Sequence, residues 1–319
     1  MALMTYAEAA ALAVERAMQA DDLVVVLGED VGRGGIFGQY KGLQQRFGAE
    51  RVIDTPISEA TIMGAAVGMA LAGLRPVVEM RVVDFALCAM DELVNQAAKN
   101  RYMFGGQSRV PLVVRMPIGL WTGSAAQHSQ SLEAWFAHIP GLTVVAPAEP
   151  ADNYGLLHSA LESGDPVVYL EHKELWGLEG EVEPGARVAL GAARIARAGS
   201  DVTIVSWSKA MQVCATAADE LANAGISGEL IDLRTIWPWD RETVLGSAAR
   251  TGALLVVHEA VQVGGFGAEI AASAAEATGC RVRRVGAPRI PSGYAKSLED
   301  ESRVSAADVV AAARALVAK

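Results

Sequence analysis

Residues 54–79 read DTPISEATIMGAAVGMALAGLRPVVE, and this stretch already indicates the class of fold. The apolar run Thr61–Leu74 is about 14 residues long, which is too short to span a bilayer and predicts a helix buried within protein. The β-branched run Pro76–Glu79 follows closely and predicts a strand that is buried on both faces. A buried helix that leads into a buried strand is typical of a parallel sheet covered by helices.

The same alternation of short β-branched runs and longer Ala- and Leu-rich runs extends on both sides of this stretch. The predicted strands of the first half are Leu23–Leu27, Pro76–Glu79, Pro111–Arg115, Leu142–Val145 and Pro166–Leu170, and its predicted helices are Glu59–Ala72, Ala86–Arg101 and Ala151–Glu162. Beyond a looser Gly- and Glu-containing stretch, the predicted strands are Val202–Ser206, Glu229–Asp232, Leu254–Val257 and Arg281–Val285, and the predicted helices are Met211–Ala224, Arg241–Ala249, Phe266–Ala277 and Ala306–Val317. We therefore expect two α/β domains, residues 1–180 and a smaller one at 201–319, joined by a linker at 181–200.

Composition excludes several classes of protein. The 319 residues are 51% hydrophobic and 20% charged, which is typical of a globular chain with buried cores. The net charge of −10 argues against nucleic acid or an anionic membrane as a partner, because both require a basic face. Three widely spaced cysteines, without a Cys-x-x-Cys pair, indicate a reducing compartment and packing roles. The chain does not begin with a basic export signal, so we expect a cytoplasmic protein without membrane spans.

Two glycine-rich stretches resemble phosphate-binding loops only superficially. Residues 32–38 read GRGGIFG and residues 264–267 read GGFG, but neither has the spacing of a dinucleotide-binding fingerprint or of a P-loop. Both are interpreted as tight turns. The nucleophile motif G-x-S-x-G and the zinc motif H-E-x-x-H are also missing from the sequence, which disfavours a hydrolase or a zinc enzyme.

Glu59 is the first candidate for chemistry, because it is a carboxyl group in the first turn of an apolar helix. Apolar surroundings favour its protonated form, while the helix dipole favours the ionised form. A carboxyl balanced between these effects can exchange a proton near neutral pH. The alternative is that Ser58 caps the helix and Glu59 only complements the dipole.

His128 and Phe85 are further candidates. His128 lies in the polar stretch AAQHSQS at residues 125–131, where it can act as a proton shuttle or as a hydrogen-bond donor to a substrate. A structural loop histidine is the equal alternative. Phe85 lies beside Asp84 near a predicted helix start and can offer its ring to a flat cofactor, although core packing also explains it.

Together these residues resemble the β chain of the thiamine-diphosphate-dependent 2-oxoacid dehydrogenase first component, as in pyruvate, branched-chain 2-oxoacid and acetoin dehydrogenase complexes. The resemblance covers nearly the whole chain. It rests on LGEDV at 27–31, DTPISE at 54–59, VNQAAK at 94–99, QHSQS at 127–131 with AWFAHIPGL at 134–142, DLRTIWPWD at 232–240 and GGFGAEI at 264–270. It implies a pyrimidine-binding parallel-sheet domain followed by a domain similar to the last one of transketolase, with the active site at the interface with an α chain.

The resemblance implies roles for five residues. Glu59 hydrogen-bonds the aminopyrimidine ring of thiamine diphosphate opposite its exocyclic amine and helps to generate the imino form. Ile57 and Phe85 pack on that ring. His128 faces the substrate and the incoming lipoyl group, and Glu29 corresponds to acidic residues that can relay protons between two active sites.

The resemblance also implies partners. In the family the α chain holds the diphosphate and magnesium through a G-D-G motif and a downstream Asn-Asn pair, and neither occurs in this sequence. We therefore expect an α2β2 assembly, and a lipoyl-bearing acyltransferase core as the next partner. The expected substrate is a small 2-oxo acid, with acetoin as a further possibility.

A potassium site is implied as well. By position the family's potassium loop corresponds to Leu112, Ala160, Leu161, Ser163 and Asp165. This sequence departs from the family there, since relatives often carry Asp and Asn at the last two of these positions. Hard oxygen ligands are still available.

The sequence thus predicts the β subunit of a 2-oxoacid dehydrogenase complex, which decarboxylates a 2-oxo acid on thiamine diphosphate and transfers the acyl group to a lipoyl domain. One alternative is the C-terminal half of a split transketolase, which transfers two-carbon units between sugars. The other is a non-catalytic α/β scaffold that has retained the fold.

Overall fold

The computed structural model describes residues 1–318. These residues form two compact units: the first contains Met1–Ile118 and Trp135–Leu190, and the second contains Gly119–Ala134 and the chain from Gly191 onward. This division differs from the predicted ranges at two places. The segment Gly119–Ala134, named here the inserted loop, belongs to the second unit, and the last crossing between the units falls between Leu190 and Gly191 rather than over a linker at 181–200.

The first unit is built on a fully parallel sheet. In chain order the elements up to the unit boundary are β1 (Ala2–Thr5), α1 (Tyr6–Ala20), β2 (Val24–Gly28), α2 (Leu43–Phe47), β3 (Val52–Asp54), α3 (Glu59–Leu71), β4 (Arg75–Glu79), α4 (Ala98–Met103), β5 (Val113–Ile118), α5 (Glu133–Ala137), β6 (Thr143–Val145), α6 (Pro150–Glu162), β7 (Val167–His172) and β8 (Glu179–Val182). The parallel strands are ordered β6-β7-β5-β4-β2-β3, and β1 pairs separately with β8 in antiparallel fashion. All five predicted strands of this half are confirmed to within three residues.

The strands of this sheet are buried because helices cover them on both faces. Every residue of β2, β5 and β7 is buried, which explains their unbroken β-branched sequences. Helix α1 packs closely on α6 through small buried residues such as Ala9 and Ala13. Thr5 and Glu8 form a capping box that fixes the start of α1.

The predicted helix Ala86–Arg101 is not one regular α-helix. A 3₁₀-helix covers Val83–Ala89, a π-helix covers Asp91–Ala97, and only the last part is the α-helix α4. The Asp91 carboxylate accepts hydrogen bonds from the Asn95 amide at 2.6 Å and from the Gln96 amide, five residues on, at 3.3 Å. A π-helix has backbone hydrogen bonds over five residues, and hydrophobic spacing does not reveal this change of helix type.

The second unit is a smaller α/β structure. Its elements are β9 (Arg194–Arg197), β10 (Val202–Ser206), α7 (Ala210–Asn223), β11 (Gly228–Asp232), β12 (Thr235–Trp237), α8 (Arg241–Thr251), β13 (Ala253–Val261), α9 (Gly267–Thr278), β14 (Arg281–Ala287), α10 (Lys296–Asp300) and α11 (Ala306–Val317). Its sheet is ordered β14-β13-β10-β11-β9, and only β9 runs antiparallel to its neighbour. The predicted strands and helices of this half are confirmed, but β8 and β9 both contain residues of the predicted linker.

Two further expectations concern single features. Cys214 and Cys280 are buried as predicted, and burial raises the pKa of the Cys214 thiol to about 12, whereas Cys88 is exposed and is not a core residue. Among the described residues 1–318, no helix is both long and apolar enough to cross a bilayer.

Candidate active site

Three of the predicted site residues lie at one edge of the parallel sheet. Glu29 directly follows β2, Glu59 is the first residue of α3 beyond β3, and Phe85 lies in the 3₁₀-helix beyond β4. Since β4, β2 and β3 are neighbours and parallel, their carboxyl ends meet at the same edge. Ligands of open parallel sheets bind at this edge.

The two carboxyl groups at this edge influence each other. The pKa of Glu29 is raised, first because the side chain is partly buried and second because the charge of Glu59 lies nearby. Arg81 opposes this rise and also pairs with Asp30, with 3.0 Å between Nη1 and Oδ2. The edge therefore carries a partly compensated negative charge, which suits a group that exchanges protons.

Apolar side chains adjoin the carboxyl groups. Ile57 is 78% exposed, although it is a large hydrophobic residue only two positions before Glu59. Phe85 is half-buried. An exposed isoleucine beside a carboxylate fits a flat heteroaromatic ring, because the apolar surface can cover the ring while the carboxylate binds a ring nitrogen.

The structure does not support the alternative in which the Ser58 side chain caps α3. Ser58 occupies the N-cap position of α3, but its hydroxyl donates to the Thr61 hydroxyl at 2.8 Å and does not cap the backbone. Glu59 is half-exposed rather than enclosed by apolar side chains. The carboxylate therefore lies at the start of an uncapped helix, where it is accessible to a ligand.

His128 belongs to the second unit, in the inserted loop, and its side chain is exposed. The structure therefore places the predicted catalytic pair Glu59 and His128 on different units. The backbone before His128 is tightly turned, since Ala125 has a φ of +58° and its carbonyl accepts from the His128 N–H at 3.4 Å.

The inserted loop is anchored to the second unit by acidic side chains. The Leu120 N–H donates to Glu259 Oε1 at 2.9 Å, and the Gly123 N–H donates to Glu299 Oε1 at 3.1 Å. At its other end, the buried Glu133 accepts a hydrogen bond from the Trp207 indole at 3.2 Å. Residues far along the chain therefore fix both ends of the loop that carries His128.

Glu79, at the end of β4, is a buried carboxyl that the sequence patterns do not single out. The Tyr40 hydroxyl donates to Oε2 of Glu79 at 2.7 Å, and the Gln39 amide donates to its Oε1 at 3.0 Å. Gly28 is required beside it, because a Cβ there would lie 2.7 Å from the Glu79 carbonyl oxygen and φ is +155°. A charged residue ending an apolar strand is the only sequence signal for this group.

Burial raises the pKa of Glu79 to about 7, although Arg115 and the bond from Tyr40 oppose the rise. The Arg115 guanidinium lies 5.0 Å from the centre of the Tyr40 ring and donates two hydrogen bonds to Glu171, at 2.8 and 3.0 Å. This buried network holds Gln39 and Tyr40, which end the glycine-rich stretch following Glu29. Its direct role is therefore to position that stretch.

The residues predicted to hold potassium lie at the opposite, amino-terminal edge of the sheet. Leu112 lies just before β5, Ala160 and Leu161 lie in the last turn of α6, and Ser163 and Asp165 lie in the loop before β7. Their oxygens already contact protein donors, among them the guanidinium of Arg75 and that of Arg101. This set does not fit a bound potassium ion, because positively charged groups already occupy it.

Clusters of side chains that could hold a metal ion, and sequence motifs for binding a diphosphate, were both sought in this chain. Within residues 1–318 there is no group of three or more His, Cys, Asp and Glu side chains that could hold a metal ion. The sequence also has no G-D-G motif and no Asn-Asn pair.

Comparisons with known proteins identify the family of this chain. Residues 2–177 match the family described as "Transketolase, pyrimidine binding domain", and residues 191–309 match "Transketolase, C-terminal domain". The chain is 42% identical over 318 residues to the acetoin:2,6-dichlorophenolindophenol oxidoreductase subunit beta of Cupriavidus necator, covering 95% of this chain and 94% of the relative. The chain belongs to the E1 beta subunit family. Members of this family serve pyruvate, acetoin and branched-chain 2-oxoacid dehydrogenase complexes, which are oxidoreductases.

Other relatives support the same family. The chain is 42% identical over 321 residues to the mitochondrial pyruvate dehydrogenase E1 component subunit beta-2 of Oryza sativa subsp. japonica, covering 98% of this chain and 85% of the relative. A solved structure titled "Split gene transketolase, inactive beta4 tetramer" superposes with a TM-score of 0.83 at 24% identity, covering 98% of both chains. That likeness confirms the fold. Family membership implies dependence on thiamine diphosphate and an alpha partner in a heterotetramer.

Proposed function

We propose that this chain provides the pyrimidine-binding half-site of a 2-oxoacid dehydrogenase, which decarboxylates a small 2-oxo acid or cleaves acetoin and passes the acyl group to a lipoyl domain. Thiamine diphosphate, when bound, supplies the nucleophilic carbon and the electron sink for this chemistry. The observation that carries the proposal is the carboxyl pair of Glu29 and Glu59 beside the exposed Ile57.

Glu59 is the residue that hydrogen-bonds the ring nitrogen of the aminopyrimidine. It is accessible at the start of α3, and its carboxylate is not used for capping. Glu29 lies close enough for their charges to interact, and burial together with the charge of Glu59 raises the pKa of Glu29. The pair can therefore take up and return a proton while Glu59 keeps its bond to the ring.

The other predicted residues position the reactants. Ile57 and Phe85 offer apolar surface to the ring, and they exclude water from the bond that Glu59 makes. His128, exposed on the inserted loop, moves a proton or stabilises an oxyanion during acyl transfer.

We propose two partners for this chain. The diphosphate and magnesium are held by an α chain, because this sequence has neither of the motifs that the family uses for them. The acyl group passes to a lipoyl-bearing acyltransferase core. We propose no bound potassium, since arginines contact the corresponding oxygens.

The test compares wild type, Glu59→Gln and the exposed control Glu50→Gln, each purified with the α-like polypeptide of the same genome. Decarboxylation of pyruvate and of branched-chain 2-oxo acids, and cleavage of acetoin, are assayed with an artificial electron acceptor. We expect activity only with both chains, and a loss of about 100-fold or more in Glu59→Gln with an unchanged elution volume on size exclusion. Full activity of Glu59→Gln would remove Glu59 from the mechanism.

The same preparations distinguish the alternatives. Reductive acylation of a free lipoyl domain supports the dehydrogenase, whereas two-carbon transfer between sugar phosphates without lipoyl acylation assigns the chain to a split transketolase. If no combination of chains retains thiamine diphosphate, the chain is a scaffold. The preferred substrate identifies the complex.

A further inference from the structure

The last turn of α6 and the residues that follow it, together residues 160–165, are named here the carbonyl loop. Its oxygens already accept hydrogen bonds from the protein. The Ser163 N–H donates to the Ala160 carbonyl at 3.1 Å, which closes the end of α6. Nearby, the Val167 N–H donates to the Leu112 carbonyl at 2.8 Å as part of the strand pairing of β7. Each of these bonds engages one of the two lone pairs of a predicted carbonyl ligand.

A guanidinium group contacts the next two oxygens. Nη2 of Arg75 donates to the carbonyl of Leu161 and to that of Ser163, the latter at 3.2 Å. Arg75 begins β4, and its side chain is only 25% exposed. Its Nε lies 3.8 Å from Asp21, which partly neutralises the charge. A positive charge that is part of the chain therefore lies where two carbonyl oxygens converge.

The last predicted ligand is also paired with an arginine. Nε of Arg101, in α4, lies 2.5 Å from Oδ1 of Asp165, and the two side chains are similarly exposed. The carboxylate thus has its counter-charge within the protein. Arg109 approaches the same loop, since a Cβ on Gly164 would lie 3.6 Å from its guanidinium.

A guanidinium at these oxygens excludes a second cation. Arginine does not lose its proton in proteins, so its charge is permanent, and like charges at contact distance repel strongly where water is partly excluded. The arginine also gives directional hydrogen bonds to carbonyls that a spherical ion would only coordinate.

We infer that Arg75 and Arg101 replace the monovalent cation of the family, so that the carbonyl loop is held by side chains and needs no potassium.

The test measures thermal unfolding of the full-length chain in KCl, NaCl or choline chloride at equal ionic strength. The variants are Arg75→Met, Arg101→Leu and the exposed control Arg16→Met. We expect the wild type and Arg16→Met to unfold at the same temperature in all three salts. Arg75→Met should unfold roughly 3 to 6 °C lower in choline chloride, and KCl should restore part of that loss, because the two vacated carbonyl oxygens can then coordinate an ion.

Arg101→Leu serves as the second variant if Arg75→Met does not fold, and its unpaired Asp165 carboxylate should likewise give a potassium-dependent midpoint. A wild-type midpoint that is higher in KCl than in both other salts would overturn the inference. Loss of stability in both variants without any recovery in KCl would also overturn it, because the vacated oxygens would then not be a cation site. The readout is unfolding, so it is independent of the activity assays.

Discussion

The buried carboxyl of Glu79 predicts how the stability of the first unit depends on pH. Its pKa is raised from an ordinary value of 4.5 to about 7 in the folded chain, chiefly by burial. Between these two pH values the folded state binds one more proton than the unfolded state, so the free energy of unfolding falls as pH rises. The contribution is fully present below pH 4.5 and is lost as pH rises through about 7. With about 1.4 kcal/mol for each pH unit, the loss is about 3 kcal/mol.

Glu79→Gln removes this titration and keeps the shape of the side chain. The Tyr40 hydroxyl can still donate to the amide oxygen, so we expect the variant to fold. Urea unfolding from pH 5 to pH 8 gives the free energy of unfolding of the wild type, of Glu79→Gln and of the exposed control Glu183→Gln. Between pH 5 and pH 8 the difference between wild type and Glu79→Gln should change by about 2.5 kcal/mol in favour of the variant, because part of the loss has already occurred below pH 5. Parallel pH profiles for these two proteins would refute the reasoning, whereas the control should parallel the wild type.

Two further substitutions test packing and anchoring. In Gly141→Ala the added Cβ would lie 1.9 Å from the Ala98 carbonyl oxygen at a φ of +99°, so we expect a loss of about 3 kcal/mol or more in urea unfolding. Gly252→Ala, with a φ of +67°, a ψ of +7° and open space, should cost only about 1 kcal/mol, and equal losses would contradict the steric argument. Glu299→Ala removes the acceptor for an amide of the inserted loop, so hydrogen exchange there should become about tenfold faster. The exposed Glu301→Ala is the control, and unchanged exchange in Glu299→Ala would show that this anchor is dispensable.

The sequence predicts the parallel sheet well because buried parallel strands are nearly continuous β-branched runs. Val24–Gly28 and Val202–Ser206 are examples in which every residue is buried. Five strands within the described residues are not predicted. Three of them, β1, β8 and β9, are short and mostly half-buried or exposed, so they carry no apolar pattern, and the other two, β3 and β12, have only three residues each. The π-helix at Asp91–Ala97 is defined by backbone hydrogen bonds over five residues, which composition cannot reveal.

The sequence predicts only part of the candidate site. Glu29 and Glu59 are neighbours because β2 and β3 are adjacent, and strand order is not encoded in any local pattern. The grouping of His128 with the second unit depends on Glu259 and Glu299, which lie more than a hundred residues further along the chain. Family resemblance supplies the roles of these residues, whereas hydrophobic periodicity supplies only the scaffold that carries them.

The inserted loop changes what a cut in the chain can do. Because the chain enters the second unit at Gly119, returns at Trp135 and leaves again after Leu190, the two units share three peptide connections. A protease that cleaves between β8 and β9 would break only one of them. The amino-terminal fragment would still hold a strip of the second unit, bound through Glu259, Glu299 and Trp207. The two domains are therefore not separate in sequence, because the second unit includes a segment from within the first. A single crossover at residue 190 could not exchange either domain for a homologous one.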